Sequence, residues 1–310
     1  MTEQEREAPG QAATGRQWTI RNGPAEATVT ELAASLRSYR RHGLDLVEPY
    51  AADELPPSGS GILLAPWANR IRDGRWTLDG KVQQLDITEP SRGNASHGLL
   101  RNTGYAPVSV EPASVTLRGE IFPQHGFPFR MTHTAKYALD DDGHLAVSQE
   151  LLNHGAGSAP AAIGAHPYLR IGHVPIGDLV LTVNGDRRLV TDGKLIPTSE
   201  EGVTGDADFR RGRRLDEVRV DVALTGLVPD ADGPYRHVLE APDGRKVALW
   251  ADATFPYAQI FVTETYRGRP LAVAVEPMSA PADAYNSGNG LVRLAAGESL
   301  SGTWGIQSWL

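Results

Sequence analysis

The sequence predicts an all-β protein, a sandwich or barrel-like fold built from short strands. Three observations carry that expectation. Glycine and proline are abundant, 33 and 22 of 310 residues, which favours many turns over long helices. Short apolar runs with period-two alternation recur between Gly, Pro, Asn and Asp punctuation. No stretch shows a convincing amphipathic helix of three turns.

From Trp18 onward the strands follow in order. Residues 27–32, 35–39 and 44–47 form the first group. Residues 75–78 and 81–87 form a hairpin, because Asp79-Gly80 between them supplies the positive φ angles of a type I′ turn. Residues 114–121, 131–139 and 144–152 come next, the last two joined by Asp140-Asp141-Asp142-Gly143. In 131–139 one face carries Met131, His133, Ala135, Tyr137 and Leu139, and the other Thr132, Thr134 and Lys136. Residues 179–183, 188–191, 235–240, 246–250, 258–262, 271–275 and 301–308 complete the set. Residues 208–216 have room for one helical turn. Residues 1–16 are polar and lack an apolar pattern, so a disordered tail is expected there. Residues 17–310 show no linker-like break and are expected to form one β-sandwich domain.

Composition narrows the function. The formal net charge is −8, which argues against a general affinity for nucleic acid or anionic membranes. There is no cysteine, so disulfides, thiolate metal sites and a Cys nucleophile are excluded. This composition is compatible with a reducing cytoplasm, the expected location. No apolar run reaches membrane-spanning length, and the N-terminal segment lacks the apolar core of a signal peptide. No GxSxG elbow, phosphate-binding glycine loop or metal-binding His pair is present, so neither metal nor cofactor is expected.

The chemistry-bearing residues fall at strand ends. The run Leu271-Ala-Val-Ala-Val-Glu-Pro has the continuous apolar character of a strand buried on both faces. It ends in Glu276, a carboxylate whose pKa should rise on burial, as a general base near neutral pH requires. Pro277 is expected to end the strand. His166, in Ile163-Gly-Ala-His-Pro-Tyr168, sits in a loop stiffened by proline and is suited to be an acid. His97 lies in the turn-like Asn94-Ala-Ser-His-Gly98. Asn69 and Arg70 follow the apolar stretch 62–65 and offer amide and guanidinium donors of the kind vicinal hydroxyls match. Asp221 and Gln259 are polar residues inside apolar stretches. Taken singly, each could be a satisfied structural group.

Together these motifs are specific in their order. Pro66-Trp-Ala-Asn69-Arg70-Ile, Ser96-His97-Gly, Gly164-Ala-His166-Pro-Tyr168, Asp221, Gln259 and Val275-Glu276-Pro with Asp283 and Asn286 beyond it resemble the aldose 1-epimerase (galactose mutarotase-like) family. The resemblance runs from about Trp18 to the C terminus. It implies a β-supersandwich of large, antiparallel, twisted sheets with few short helices. It also implies Glu276 as general base, His166 as general acid, and Asn69, Arg70, His97, Tyr168, Asp221 and Gln259 as substrate contacts. His97 would lie near the ring oxygen and Asp221 near sugar hydroxyls. This chain departs from many relatives at Asn102, where they carry an aromatic, and around Met278 to Asp283.

The implied reaction is interconversion of the α and β anomers of a free aldohexose such as glucose or galactose. The base removes the proton of O1, the acid protonates O5, the ring opens, the aldehyde rotates and the ring closes. Unperturbed pKa values of about 4.3 for Glu and 6.5 for His leave both groups in the required states just below neutral pH. The implied partner is a monosaccharide, acted on by a monomer or homodimer without nucleic acid or membrane. Two alternatives stand beside it. A hexose-6-phosphate 1-epimerase would need basic side chains at the cleft rim, for which Arg210, Arg211, Arg213 and Arg214 are the one local cluster. A non-catalytic carbohydrate-binding protein would have no need for the His and Glu pair.

Overall fold

A computed structural model describes residues 12–310. Two large antiparallel sheets dominate it. The nine-stranded sheet runs, in spatial order, through Ala106–Glu111, Ser114–Ile121, Met131–Leu139, Leu145–Asn153, Ser299–Trp309, Lys246–Ala251, Tyr235–Glu240, Val180–Val183 and Arg213–Arg214. The second sheet runs through Pro197–Gly202, Gly185–Thr191, Val220–Leu227, Tyr257–Thr263, Ala272–Met278, Gly164–Ala165 and Leu63–Leu64, with Tyr168–Leu169 also paired to Ala272–Met278. A four-stranded sheet, Gln17–Asn22 through Leu44–Asp45, packs on this pair.

Period-two alternation places the core. From the second sheet, Ile260, Val262, Val273 and Val275 point into one large apolar cluster with Leu117, Tyr137, Leu249, Trp304 and Ile306 of the nine-stranded sheet. Each fully buried aliphatic side chain contributes roughly 1.5–3 kcal/mol. The opposite face of the second sheet carries Asp221, Ala223, Gln259, Phe261, Ala274 and Glu276. Ala272–Met278 is buried along its whole length, as its apolar run predicts.

Several expectations change. Pro277 does not end its strand, which continues to Met278. Pro277 lies between the Val275 N–H bond to the Pro167 carbonyl and the Ser279 N–H bond to the Ile163 carbonyl. On that side the neighbouring segment is itself interrupted at His166-Pro167, so the missing donor is tolerated. Residues 208–216 form no helical turn as a unit. Arg213–Arg214 joins the nine-stranded sheet, followed by a 3-10 turn at Leu215–Glu217. Among the described residues the one α-helix is the single turn Ala284–Ser287.

The expected tail divides. Residues 1–11 lie outside the described residues. Residues 12–16 are held: Thr14 is buried, its carbonyl accepts from Leu32 N–H, and Arg16 N–H donates to the Glu31 carboxylate at 2.9 Å. The Asp79-Gly80 hairpin turn has φ of 49° and 75°, the left-handed pair its sequence demands.

Candidate active site

The polar face of the second sheet brings four of the singled-out side chains together. Gln259 and Glu276 are direct cross-strand partners, and Asp221 sits diagonally from Gln259 on the next strand. The register therefore puts all three on one face by period alone. Gln259 Nε2 donates to Asp221 Oδ1 at 2.5 Å, fixing both. His166 stands between Gly164–Ala165 and Tyr168–Leu169, which both pair with the Glu276 strand. Its Nε2 lies 3.3 Å from Glu276 Oε1. Both residues are almost fully buried, and among the described residues Glu276 Oε2 has no hydrogen-bond partner.

A second group closes on the pair from the loops. Asn69 and His97 both hold left-handed backbone, φ 52° and 65°. His97 N–H donates to the Asn69 carbonyl at 2.7 Å. The His97 ring meets the His166 ring edge-on, centroids 5.3 Å apart. On its other side His166 stacks on Tyr168 at 5.2 Å. Arg70 lies across this group. Its Nη1 donates to Asn69 Oδ1 at 3.1 Å, and its Nη2 approaches Asp221 Oδ2 at 3.4 Å.

Two contributors are absent from the sequence reading. Glu89 takes both Nε and Nη2 of Arg70, at 2.9 and 3.1 Å, so the guanidinium is held in a two-point fork. Tyr266 packs edge-on against Tyr168 at 4.7 Å. Neither has a local signal. Glu89 lies in the turn-like run Thr88-Glu-Pro-Ser-Arg-Gly, indistinguishable from a solvated surface turn.

Electrostatics follow from burial. Desolvation, with the Asp221 charge adding to it and Arg70 opposing, raises Glu276 well above the ordinary carboxylate range. Desolvation, with Arg101 and Arg70 nearby, lowers His166 to about 4. His97 is lowered well below its ordinary value by burial, by His166 and by the same two arginines. The rise at Glu276 is the one its burial predicts, whereas the expectation that His166 keeps its unperturbed value is overturned, because removal from water dominates it. Burial also works against the Arg70 charge, but Glu89 and Asp221 outweigh it and raise its pKa.

Asn69, Arg70, Asp221 and Gln259 line a narrow recess, whose remaining wall includes Leu189 and Ala282. A lining that mixes polar and apolar side chains suits a ligand that carries both hydroxyls and C–H surface. Among the described residues no group of three or more His, Asp or Glu side chains is arranged to hold a metal ion. The Arg210 to Arg214 cluster lies with the far sheet. Arg210, Arg213 and Arg214 are bonded to Asp208, Asp206 and Asp216, so they supply no free cations to this recess.

Comparison with known proteins agrees with this architecture. The family described as aldose 1-epimerase matches residues 16–307. The uncharacterized protein YihR of Escherichia coli strain K12 is 29% identical over 289 residues, covering 92% of this chain and 91% of that protein. Galactose mutarotase of Bos taurus is 30% identical over 216 residues, covering 63% of this chain and 59% of that protein. The crystal structure of a GalM/aldose epimerase homologue from C. elegans superposes with a TM-score of 0.82 at 19% identity, covering 95% and 98% of the two chains, which shows a shared fold. With a family match spanning nearly the whole sequence and a mutarotase-like fold beneath it, this chain belongs to the aldose 1-epimerase family.

Proposed function

We propose that this protein is a cofactor-independent aldose 1-epimerase acting on a free aldohexose, with Glu276 and His166 moving the protons. One observation carries the reading. A buried His166 and Glu276 sit 3.3 Å apart, and the second Glu276 oxygen has no partner among the described residues. They adjoin a recess whose polar wall is Arg70, Asp221, Gln259 and Asn69.

In this reading Glu276 takes the O1 proton while His166 protonates O5. The bond between C1 and O5 breaks, leaving the open-chain aldehyde. After rotation about the C1–C2 bond Glu276 returns its proton to O1, His166 takes back the O5 proton, and the ring closes on the other face. By themselves the pKa shifts favour an uncharged carboxyl and imidazole. A proton on the pair can occupy either partner at the same net charge. Sugar hydroxyls donating to Glu276 would favour carboxylate with imidazolium, the arrangement that starts the reaction. Arg70, held by Glu89, would orient hydroxyls and offset negative charge near the ring oxygen. Asp221 and Gln259, already bonded to each other, would take hydroxyls at the far end.

The test is polarimetry on freshly dissolved α-D-glucose and α-D-galactose, with the wild-type protein and Glu276→Gln. Removing the base should lower kcat by roughly 10²–10⁴-fold, with sugar affinity largely retained. A Glu276→Gln protein that keeps the wild-type rate removes Glu276 from the base role. If folded wild-type protein accelerates neither sugar nor glucose 6-phosphate, the reading gives way to a carbohydrate-binding protein of the same fold.

A further inference from the structure

A buried hydrogen-bonded chain crosses the core and ends beside His166. His133 and Gln149 both face inward from neighbouring strands of the nine-stranded sheet. The other inward residues near Gln149 on its strand are Leu145, Val147 and Leu151, so an amide here interrupts an apolar layer. Tyr105 Oη lies 2.7 Å from His133 Nδ1. The amide orientation that gives each end of Gln149 a complementary partner is the one in which its nitrogen donates to His133 Nε2 and to the Gly164 carbonyl, each at 3.2 Å, and its oxygen accepts from Trp304 Nε1 at 3.0 Å. Since His133 Nε2 accepts, the ring proton is on Nδ1 and is given to Tyr105 Oη.

Such a network is a poor way to gain stability alone, because apolar side chains of the same shape serve a core at least as well. Its distinctive property is where it ends. Gly164 belongs to the other sheet, two residues before His166, and pairs with both Met278 and Leu64. It lies so close to the Glu276 strand that a Cβ there would come 2.9 Å from the Pro277 carbonyl oxygen. His166 Nδ1 has no partner among the described residues. Histidines in reactive sites are usually oriented by a bond at the second ring nitrogen. This one lacks it, so its placement depends on ring packing and on its backbone. The backbone is pinned at His166 by bonds with Ile62 and Gly61, and at Gly164 by Gln149.

We propose that Gln149, backed by His133 and Tyr105, is a positioning residue: by clamping the Gly164 carbonyl it sets the depth of the Gly164 to His166 segment and hence the approach of His166 Nε2 to Glu276. The kinetic part of this inference rests on the epimerase reading; the geometric part does not.

The test is Gln149→Met, which keeps the volume and removes the donor. A misplacement of about 1 Å can cost up to about 10²-fold, so kcat should fall at least about tenfold with KM within about twofold. The imidazole ¹⁵N signals of His166 should shift and its backbone amide should exchange faster. A folded variant with wild-type kcat and unchanged His166 signals overturns the proposal. Should Gln149→Met not fold, Gln149→Glu decides. Its carboxyl retains length, and once ionised it repels the Gly164 carbonyl. Its kcat should therefore fall as pH rises, over a range where circular dichroism shows it folded. A kcat that follows the wild-type pH profile overturns the proposal. If the wild-type protein accelerates no aldose, the epimerase reading fails, and the His166 signals alone then judge the clamp: shifted signals support it and unchanged ones overturn it.

Discussion

Arg70 shows how a single side chain becomes a binding group. A free arginine on a loop is long and mobile, and ordering it costs entropy. Here Glu89 holds it at two points, while Asn69 takes the remaining nitrogen and Asp221 approaches Nη2 beside Glu89. Bonds to charged groups contribute roughly 1.5–3 kcal/mol each. Glu89→Gln should therefore loosen the guanidinium and raise KM for the sugar by roughly tenfold or more, with a smaller effect on kcat. Arg70→Lys should do the same despite keeping the charge, because an ammonium cannot fork. Steady-state kinetics on both variants checks this; unchanged KM in both would mean Arg70 does not touch the substrate. At this scale the sequence exposes the residue types but not their partners. Glu276 is readable because a carboxylate ending an apolar run is anomalous. Glu89 is not, because a glutamate in a polar turn is ordinary until the fold sets it against Arg70.

At the scale of elements, strand alternation and turn chemistry were the legible signals. The 114–121, 131–139 and 235–240 strands have the bounds their alternation predicts. The Asp-Gly turn has the predicted left-handed pair. Edge strands were less legible. Ala106–Glu111 is exposed along its whole length and so carries no alternation to read. Pro277 misleads for a related reason: whether a missing N–H matters depends on the strand opposite. The turn carrying His97 makes its own prediction. Gly98 has φ 78°, and a Cβ there would fall 2.0 Å from the Ala65 carbonyl oxygen. Gly98→Ala should cost at least about 1–2 kcal/mol from backbone strain alone, with the clash added. It should also displace His97 from His166. Chemical denaturation should show a lowered midpoint and polarimetry a lowered specific activity; a variant matching the wild type in both would mean the turn relaxes freely.

Across the whole molecule, burial of neutral histidines dictates the response to acid. His237, in the nine-stranded sheet away from the site, is lowered by burial from 6.5 to about 4, as is His133. His166 moves the same way. As pH falls through that window the unfolded chain takes up protons that the folded chain refuses, so stability drops. Each such group removes roughly 1.4 kcal/mol per pH unit within it. Glu276 has the opposite sign, since its raised pKa makes the folded state the better proton acceptor above the ordinary carboxylate value. The histidines outnumber it. Calorimetry from pH 6.5 towards 4 should show a falling Tm, and His237→Gln should fall less steeply. Equal slopes would remove His237 from the acid response.

The sequence by itself determined that strands would dominate, where most of them lie, and which residue types stand at their ends, because alternation, turn propensity and motif order are local properties of the chain. It also singled out Glu276 and His166 as the anomalous pair. Only the tertiary structure decided that they meet at 3.3 Å, that Glu89 grips Arg70, and that Gln149 reaches from one sheet to the other. Those contacts join residues far apart in the chain, and their distances depend on register and on how the sheets pack. The same holds for the pKa shifts: a side chain's chemistry is written in its residue type, but its charge state is set by how much water the fold removes from around it.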